Sequence, residues 1–351
     1  MRIVGRRAVL RAAASAAGAA VFALPAVLRS ATAHAAARPD LGPLVVQLGW
    51  VKNVEWAGEY FADQQGYYRD EGFSGATLTS GGPNAPPLES VVHSGKALTA
   101  IGSPSTTAAA ILRGARLKII AVQYQTCPYV IASRAEKPLR TPQDMIGKRI
   151  GVPSSNESTW SAFLKANDIA AGRVQAVTVG FSPAPLVTGQ VDGLLGFVTN
   201  VLGALKSRQI GAHHFGLGEF NYPLVNNDYM VSEDALAKRR PALKALLRAE
   251  IRGWTRSLAS PEQSARLTVE EYGKDLGLDL ADQIDQSRIQ NRLIQSAHTR
   301  QHGLFTLTPE QVEKSVELLR LGGIGISATQ LFDLSVLNEV YAEDASLRPP
   351  A

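Results

Sequence analysis

The chain has 351 residues, with 36 basic and 31 acidic side chains, a net charge of +5 and a pI near 9.3. Five of its arginines (Arg2, Arg6, Arg7, Arg11 and Arg29) fall within the first 37 residues, which hold no acid. The remainder carries 31 basic against 31 acidic residues, a balance that excludes the electrostatic footprint of a nucleic-acid or anionic-membrane binder.

Residues 1–37 read as a targeting segment. Arg6 and Arg7 followed by Ala8, Val9 and Leu10 form a twin-arginine pattern. An Ala-rich stretch from Ala12 to Leu28 follows, and Ala-x-Ala exits end at Ala33, Ala35 and Ala37. The stretch holds Pro25 and stops at Arg29, which makes it too short and too weakly apolar for a good membrane span. Residues 38–351 suffice for two domains with cores. The single cysteine, Cys127, allows no intramolecular disulfide, sits far from the signal exits where a lipid anchor would need it, and leaves no Cys-rich metal spacing. A soluble periplasmic protein is expected.

After the signal, short apolar runs alternate with helical patterns, as in mostly parallel sheets flanked by helices. Strands are predicted at 44–49, 76–79, 98–102, 117–122, 130–133, 149–152, 174–179 and 193–197. Helical patterns lie between them at 87–94, 106–113, 159–167 and 201–208. From Glu233 onward the pattern is nearly all helix, at 241–258, 261–272, 280–296, 309–320 and 332–341. Ser260-Pro261-Glu262 and Thr308-Pro309-Glu310 each place a capping side chain before a proline at the first helical position.

The first strand leads into a corner holding Trp50, Asn53, Glu55 and Trp56. A strand–loop–helix corner at a sheet mouth is where small ligands bind. Trp50 either stacks on a planar ligand or packs at a domain edge. Glu55 either hydrogen-bonds ring nitrogens or an exocyclic amine, or complements a helix dipole as a first-turn carboxylate. Trp56 either stacks or packs under the helix. Asn84, in a Gly-Gly-Pro-Asn loop, offers a donor and an acceptor or caps a turn. Ser103 and Ser105 cap a helix whose amides face the cleft. Tyr124 is a cleft wall or hinge packing. Ser154 and Ser155 lie in a polar loop that opens a helix and suits an oxygen-rich group, and Trp160 either seals the cleft or packs in a core. Asn200 sits at a strand end facing the cleft. Residues 226–229 supply a polar contact or a surface turn. The pairs His213–His214 and His298–His302 lack the spacing and third ligand of a metal site.

Gly66-Tyr-Tyr-Arg-Asp-Glu-Gly-Phe73 resembles the "G-Y-F-x-x-E-G" signature of periplasmic solute-binding proteins. Residues 53–60 resemble the "N-T-x-H-x-G-x-Y" corner of the group that binds thiamine pyrimidine precursors, with Trp56 at the histidine position. Residues 186–193, 194–200 and 244–254 resemble three further family motifs in the expected order. The resemblance spans residues 44–343. It implies a two-lobed type II periplasmic binding fold: lobe I from 40–125 plus 220–351 with a helical C-terminal block, lobe II from 126–219, and crossings near 125–128 and 217–223. It also implies a monomer without cofactor that delivers a small solute to an ABC permease and its ATPase. The ligand expected is a pyrimidine-type or other aromatic heterocycle, with a sulfonate, taurine or nitrate as the alternative. A pyrimidine-synthase-like enzyme is a rival of another class, yet the corner histidine and cysteine-rich stretch that such synthases use are both missing. A ligand sensor is a third.

Overall fold

The apolar run after residue 43 enters the core as strand β1 (Gly42–Gln47), burying Leu44 and Val46, with Leu48 just beyond. β1 pairs in parallel with β2 (Phe73–Thr79) and β3 (Thr99–Gly102). With β4 (Leu117–Tyr124) and β10 (Asn226–Ser232) they form a five-stranded sheet in the order β2-β1-β3-β10-β4. The second sheet has the order β7-β6-β8-β5-β9, built from β5 (Tyr129–Arg134), β6 (Arg149–Pro153), β7 (Gln175–Val179), β8 (Gly193–Phe197) and β9 (Ala212–Gly216). This computed structural model describes residues 40–348; the expected signal segment lies outside the described residues.

Each sheet has one strand running against the rest, β10 in the first and β5 in the second. The cause is the path of the chain. It leaves the first sheet after β4, crosses at 125–128 into β5, and returns at 217–225 into β10. A strand arriving from the other sheet starts at the cleft and runs away from it. The strands β1, β3, β6, β7 and β8 end there instead. The cleft is therefore lined by the carboxyl ends of parallel strands and the starts of the two reversed ones, the usual ligand position in open α/β sheets.

Seven helices matter for the site: α1 (Ala57–Gln64), α2 (Pro104–Leu112), α3 (Glu157–Ala166), α4 (Val198–Lys206), α5 (Arg240–Ala259), α6 (Leu280–Ile294) and α7 (Pro309–Leu321). Helix α5 buries Leu243, Leu246, Leu247, Ile251 and Trp254, a stripe at helical spacing. It packs on α1 through Gly58 and Gly253, where a Cβ on either residue would collide with the other helix. Trp254, fully buried, closes that seam. The C-terminal helices also reach the second lobe. Leu318 of α7 joins the core formed by Phe163, Phe215 and Tyr222, and α6 lies against α4.

Candidate functional site

Between the two sheets lies a cleft of about 730 Å³, within the range of roughly 300–1,000 Å³ typical of small-molecule sites. The corner after β1 forms one wall. Asn53 caps a short 3-10 turn, its Oδ1 accepting from the Glu55 amide at 3.0 Å. Helix α6 pins the same turn from below: the Val54 amide donates to Gln283 Oε1 at 2.8 Å, and Gln290 Nε2 donates to the Val54 carbonyl at 3.3 Å. Tyr60 hydroxyl donates to the Asn53 carbonyl at 3.0 Å, and its ring stacks on Tyr272. The corner is thus held rigid by buried groups on three elements.

Two contacts cross the cleft from the corner after β1. Asn53 Nδ2 donates to Asn200 Oδ1 at 3.3 Å. The Trp50 ring meets Phe181 edge to face, with centroids 4.6 Å apart. Deeper in, Tyr129 meets Phe197 edge to face at 4.7 Å, and Tyr129 hydroxyl donates to Asn156 Oδ1 at 3.4 Å. At the rim, Lys206 of α4 pairs with Asp285 of α6 at 2.6 Å and with Asp282 at 3.5 Å.

The floor is polar and buried. Glu55 is 4% exposed, and its Oε1 accepts from Asn227 Nδ2 at 3.1 Å. Asn227 also donates to Gln123 Oε1 at 3.2 Å and adopts a left-handed backbone, φ 54°. A non-glycine residue held in that region stores strain of about 1–3 kcal/mol, a cost concentrated at functional sites. Glu55 Oε2 and the side-chain nitrogen of Asn226, both in the cleft lining, have no protein partner. Burial pushes the Glu55 carboxyl up to about 7, and the bond from Asn227 opposes that rise.

Of the residues singled out from sequence, Trp50, Asn53, Glu55, Trp56, Ser103, Ser105, Ser155, Asn200, Asn226 and Asn227 line this cleft. Trp56 is 1% exposed and its Nε1 donates to the Val51 carbonyl at 3.1 Å, so its ring chiefly packs under the corner. Asn84, Ser154, Tyr124 and Trp160 do not line it. Asn84 and Ser154 are exposed on their loops. Tyr124 is fully buried, with its hydroxyl donating to Gln290 Oε1 at 3.0 Å, which is packing beside the crossing. Trp160 belongs to the core of the second lobe. Residues 226–229 are no surface turn: they open β10, and Asn226, Asn227 and Asp228 are all buried. Sequence reasoning missed Tyr129, Phe181 and Phe197 as cleft residues, and Gln283 and Asp282 on α6. Only the Asn226-Asn227 doublet carried a local sign. The others reach the cleft through strand order and through a helix remote in sequence.

A family model described as NMT1/THI5 like matches residues 53–264, which begin at this corner and run through β10 into α5 and beyond. The chain belongs to the NMT1/THI5-like family. It is 24% identical over 311 residues to riboflavin-binding protein RibY of Chloroflexus aurantiacus, covering 86% of each chain. Among solved structures it resembles the periplasmic aliphatic sulphonate binding protein SsuA of Escherichia coli, with TM-score 0.67, 15% identity, and 84% and 92% of the two chains covered. It also resembles the ligand-binding component of an ABC-type import system from Staphylococcus aureus, with TM-score 0.64, 13% identity, and 85% and 99% covered. At these identities the two structures speak for the fold: a periplasmic-binding-type pair of lobes around one cleft.

Proposed function

We propose that this chain is the solute-binding component of an ABC importer, exported to the periplasm, and that it clamps a planar aromatic heterocycle between its lobes for a membrane permease. The observation that carries the ligand class is the lining of the cleft. Besides Trp56, whose ring packs under the corner, it holds four aromatic rings (Trp50, Tyr129, Phe181 and Phe197) and three carboxylates (Glu55, Asp279 and Asp282). Among the described residues that line it there is no Lys, Arg or His. Aromatic walls favour offset or edge-on packing of a flat ring. Glu55, the one buried acid of the three, has no cation beside it, which disfavours an anion at that point of the floor. The name of the relative RibY makes riboflavin the first such heterocycle to test.

Among the described residues the thiol is not placed for chemistry in the cleft. Cys127, the one thiol, lies outside the lining, and burial pushes it up to about 12. A nucleophilic cysteine needs the opposite shift.

One observation favours a sulfonate instead. Helix α2 aims its N-terminus at the cleft, with Ser103, Ser105 and Thr106 in the lining, and a helix N-terminus with hydroxyls holds an oxyanion without cations. One panel decides between the two. Calorimetry and melting shifts with riboflavin, 4-amino-2-methylpyrimidine, taurine, ethanesulfonate and nitrate should show binding in the heterocycle arm only. Binding confined to the sulfonates would reverse the assignment.

A further inference from the structure

We infer that the ligand carries an N–H donor beside a hydrogen-bond acceptor on one edge of its ring, and that Glu55 and Asn226 read that edge as a pair. This deepens the heterocycle reading above and rests on it.

The inference starts from unmet hydrogen bonds. Glu55 is 4% exposed and Asn226 is fully buried, yet Glu55 Oε2 and Asn226 Nδ2 have no protein partner. A buried polar atom without a partner costs free energy, so both atoms are spare capacity in a lining built for something else. Their other polar atoms are committed. Glu55 Oε1 accepts from Asn227 Nδ2, and Asn226 Oδ1 accepts from the Asn227 amide at 2.9 Å. What remains unmet, on two residues of the cleft lining that Asn227 ties together, is one buried acceptor and one buried donor, which a ligand edge reaches once it presses into the floor. The complement is a donor and an acceptor side by side, as on a cyclic amide or imide, or on an amino group next to a ring nitrogen. A sulfonate, which offers only acceptors, cannot satisfy Glu55 Oε2 in its ionised form.

The strained backbone at Asn227 serves this arrangement. Asn227 Nδ2 donates both to Glu55 Oε1 and to Gln123 Oε1, which fixes the orientation of the carboxyl. No cation faces Glu55 among the described residues. The titratable groups that interact with it are Glu59 on its own helical segment, Tyr60, Tyr124 beside β10, and Tyr129 across the cleft. Burial raises the carboxyl toward 7, so the free cleft holds it close to its titration point. An N–H from the ligand favours the ionised form, and binding then releases a proton below that point.

The fixed donor at Asn227 makes Glu55→Gln a sharp test. The glutamine must turn its carbonyl to Asn227, which leaves an NH₂ where Oε2 stood and inverts the polarity of the edge. The probes are riboflavin with 3-methylriboflavin, and 4-amino-2-methylpyrimidine with its N,N-dimethylamino analogue. In the wild type, methylation should weaken a parent probe that binds by roughly 10- to 100-fold, the value of a charge-assisted hydrogen bond. In Glu55→Gln the parent should lose a similar factor, and the preference over the methylated form should vanish. Asn226→Ser should weaken the parent probes while keeping the donor preference. Melting curves establish that both variants fold. If a parent binds and neither methylation nor Glu55→Gln changes its affinity, the edge assignment is overturned while the heterocycle reading stands. If neither parent binds and a sulfonate does, both fall.

Discussion

Asn53 Nδ2 donates to Asn200 Oδ1 at 3.3 Å, joining two residues 147 positions apart across the mouth of the cleft. Asn53 is held by the corner turn that its own Oδ1 caps, and Asn200 lies in the first turn of α4 in the second lobe. The bond forms only when the two lobes face each other at this spacing. It sits next to Trp50–Phe181, the edge-to-face pair that also spans the gap. The two contacts make a clasp, and any separation of the lobes at this corner must break both.

The first prediction concerns the aromatic half of that clasp. Trp50→Ala removes a large ring from the cleft wall together with its contact to Phe181, at an expected cost of about 2–4 kcal/mol of ligand binding, or roughly 30- to 1000-fold. Phe181 is 50% exposed, so Phe181→Ala should cost less. A double-mutant cycle should return a coupling of about 0.5–1.5 kcal/mol in the ligated protein. Additive effects in calorimetry would mean that the two rings act separately.

Asn200→Ala deletes the cross-cleft bond without emptying the wall. A loss of about 0.5–1.5 kcal/mol in affinity is expected, with the melting temperature of the free protein little changed. Small-angle scattering should show the wild type more compact with a bound heterocycle than without, and Asn200→Ala less so. Identical profiles with and without saturating ligand would mean rigid lobes.

At the rim, Lys206 bridges α4 to Asp282 and Asp285 on α6. These side chains are partly exposed, so added salt should screen the pairs. Lys206→Ala should weaken binding by less than about fivefold at low salt and leave it unchanged near 0.5 M. A salt-independent loss would show that Lys206 contacts the ligand itself.

Stability should fall as pH rises. Asp228 is fully buried in β10; its Oδ2 accepts from Thr107 Oγ1 at 3.0 Å, and its Oδ1 has no partner. Burial raises its carboxyl from the ordinary 3.8 to about 7. A carboxyl raised on folding contributes stability that is fully present below the unfolded value and is lost as pH climbs through the folded one. Between about pH 4 and 7 the wild type should therefore lose stability with each pH unit. Asp228→Asn keeps an acceptor for Thr107 and removes the titration. Near pH 8 it should exceed the wild type by on the order of a few kcal/mol, with the gap closing toward pH 4. Glu55 and Glu59, also pushed up to about 7 by burial, add slope of the same sign, so the variant's curve should be flatter but not flat. Denaturant curves that stay parallel across this range would refute the assignment.

Gly58→Ala tests the seam beneath the site. A methyl there meets the Trp254 ring, and Gly253 opposite leaves no room to retreat. Overpacking of this kind costs about 1–3 kcal/mol or more. Affinity among folded molecules should hold, because neither Gly58 nor Trp254 lines the cleft. An equal drop in affinity and stability would place the seam in the binding machinery.

The eight strands predicted from apolar runs all occur; central strands such as β4 and β5, buried on both faces, write themselves into local composition, while β7 is legible from its β-branched residues alone. The two strands without an apolar-run signal, β9 and β10, carry His213-His214 and Asn226-Asn227-Asp228, polar stretches placed by pairing with β5, β3 and β4, although β10 goes on to bury Tyr229, Met230 and Val231. The corner from Trp50 to Trp56 was legible because strand, cap and helix are consecutive there. Whether each of its residues faced the cleft was not. Trp56 and Tyr124 carry the same aromatic signal as Trp50, and only packing decides which rings turn inward: Trp56 is drawn beneath the corner toward the Val51 carbonyl, and Tyr124 toward Gln290 on α6. Phe181 sits in a Gly-Ser-Pro loop with no local mark, and it becomes a wall because β7 ends at the cleft opposite Trp50. Local sequence determines which segments become strands and helices, through the spacing of apolar residues and the chemistry of their caps. Which unmet donors and acceptors end up together depends on the order of strands in two sheets and on a chain that crosses between them twice, and those long-range pairings have no signature in any single stretch.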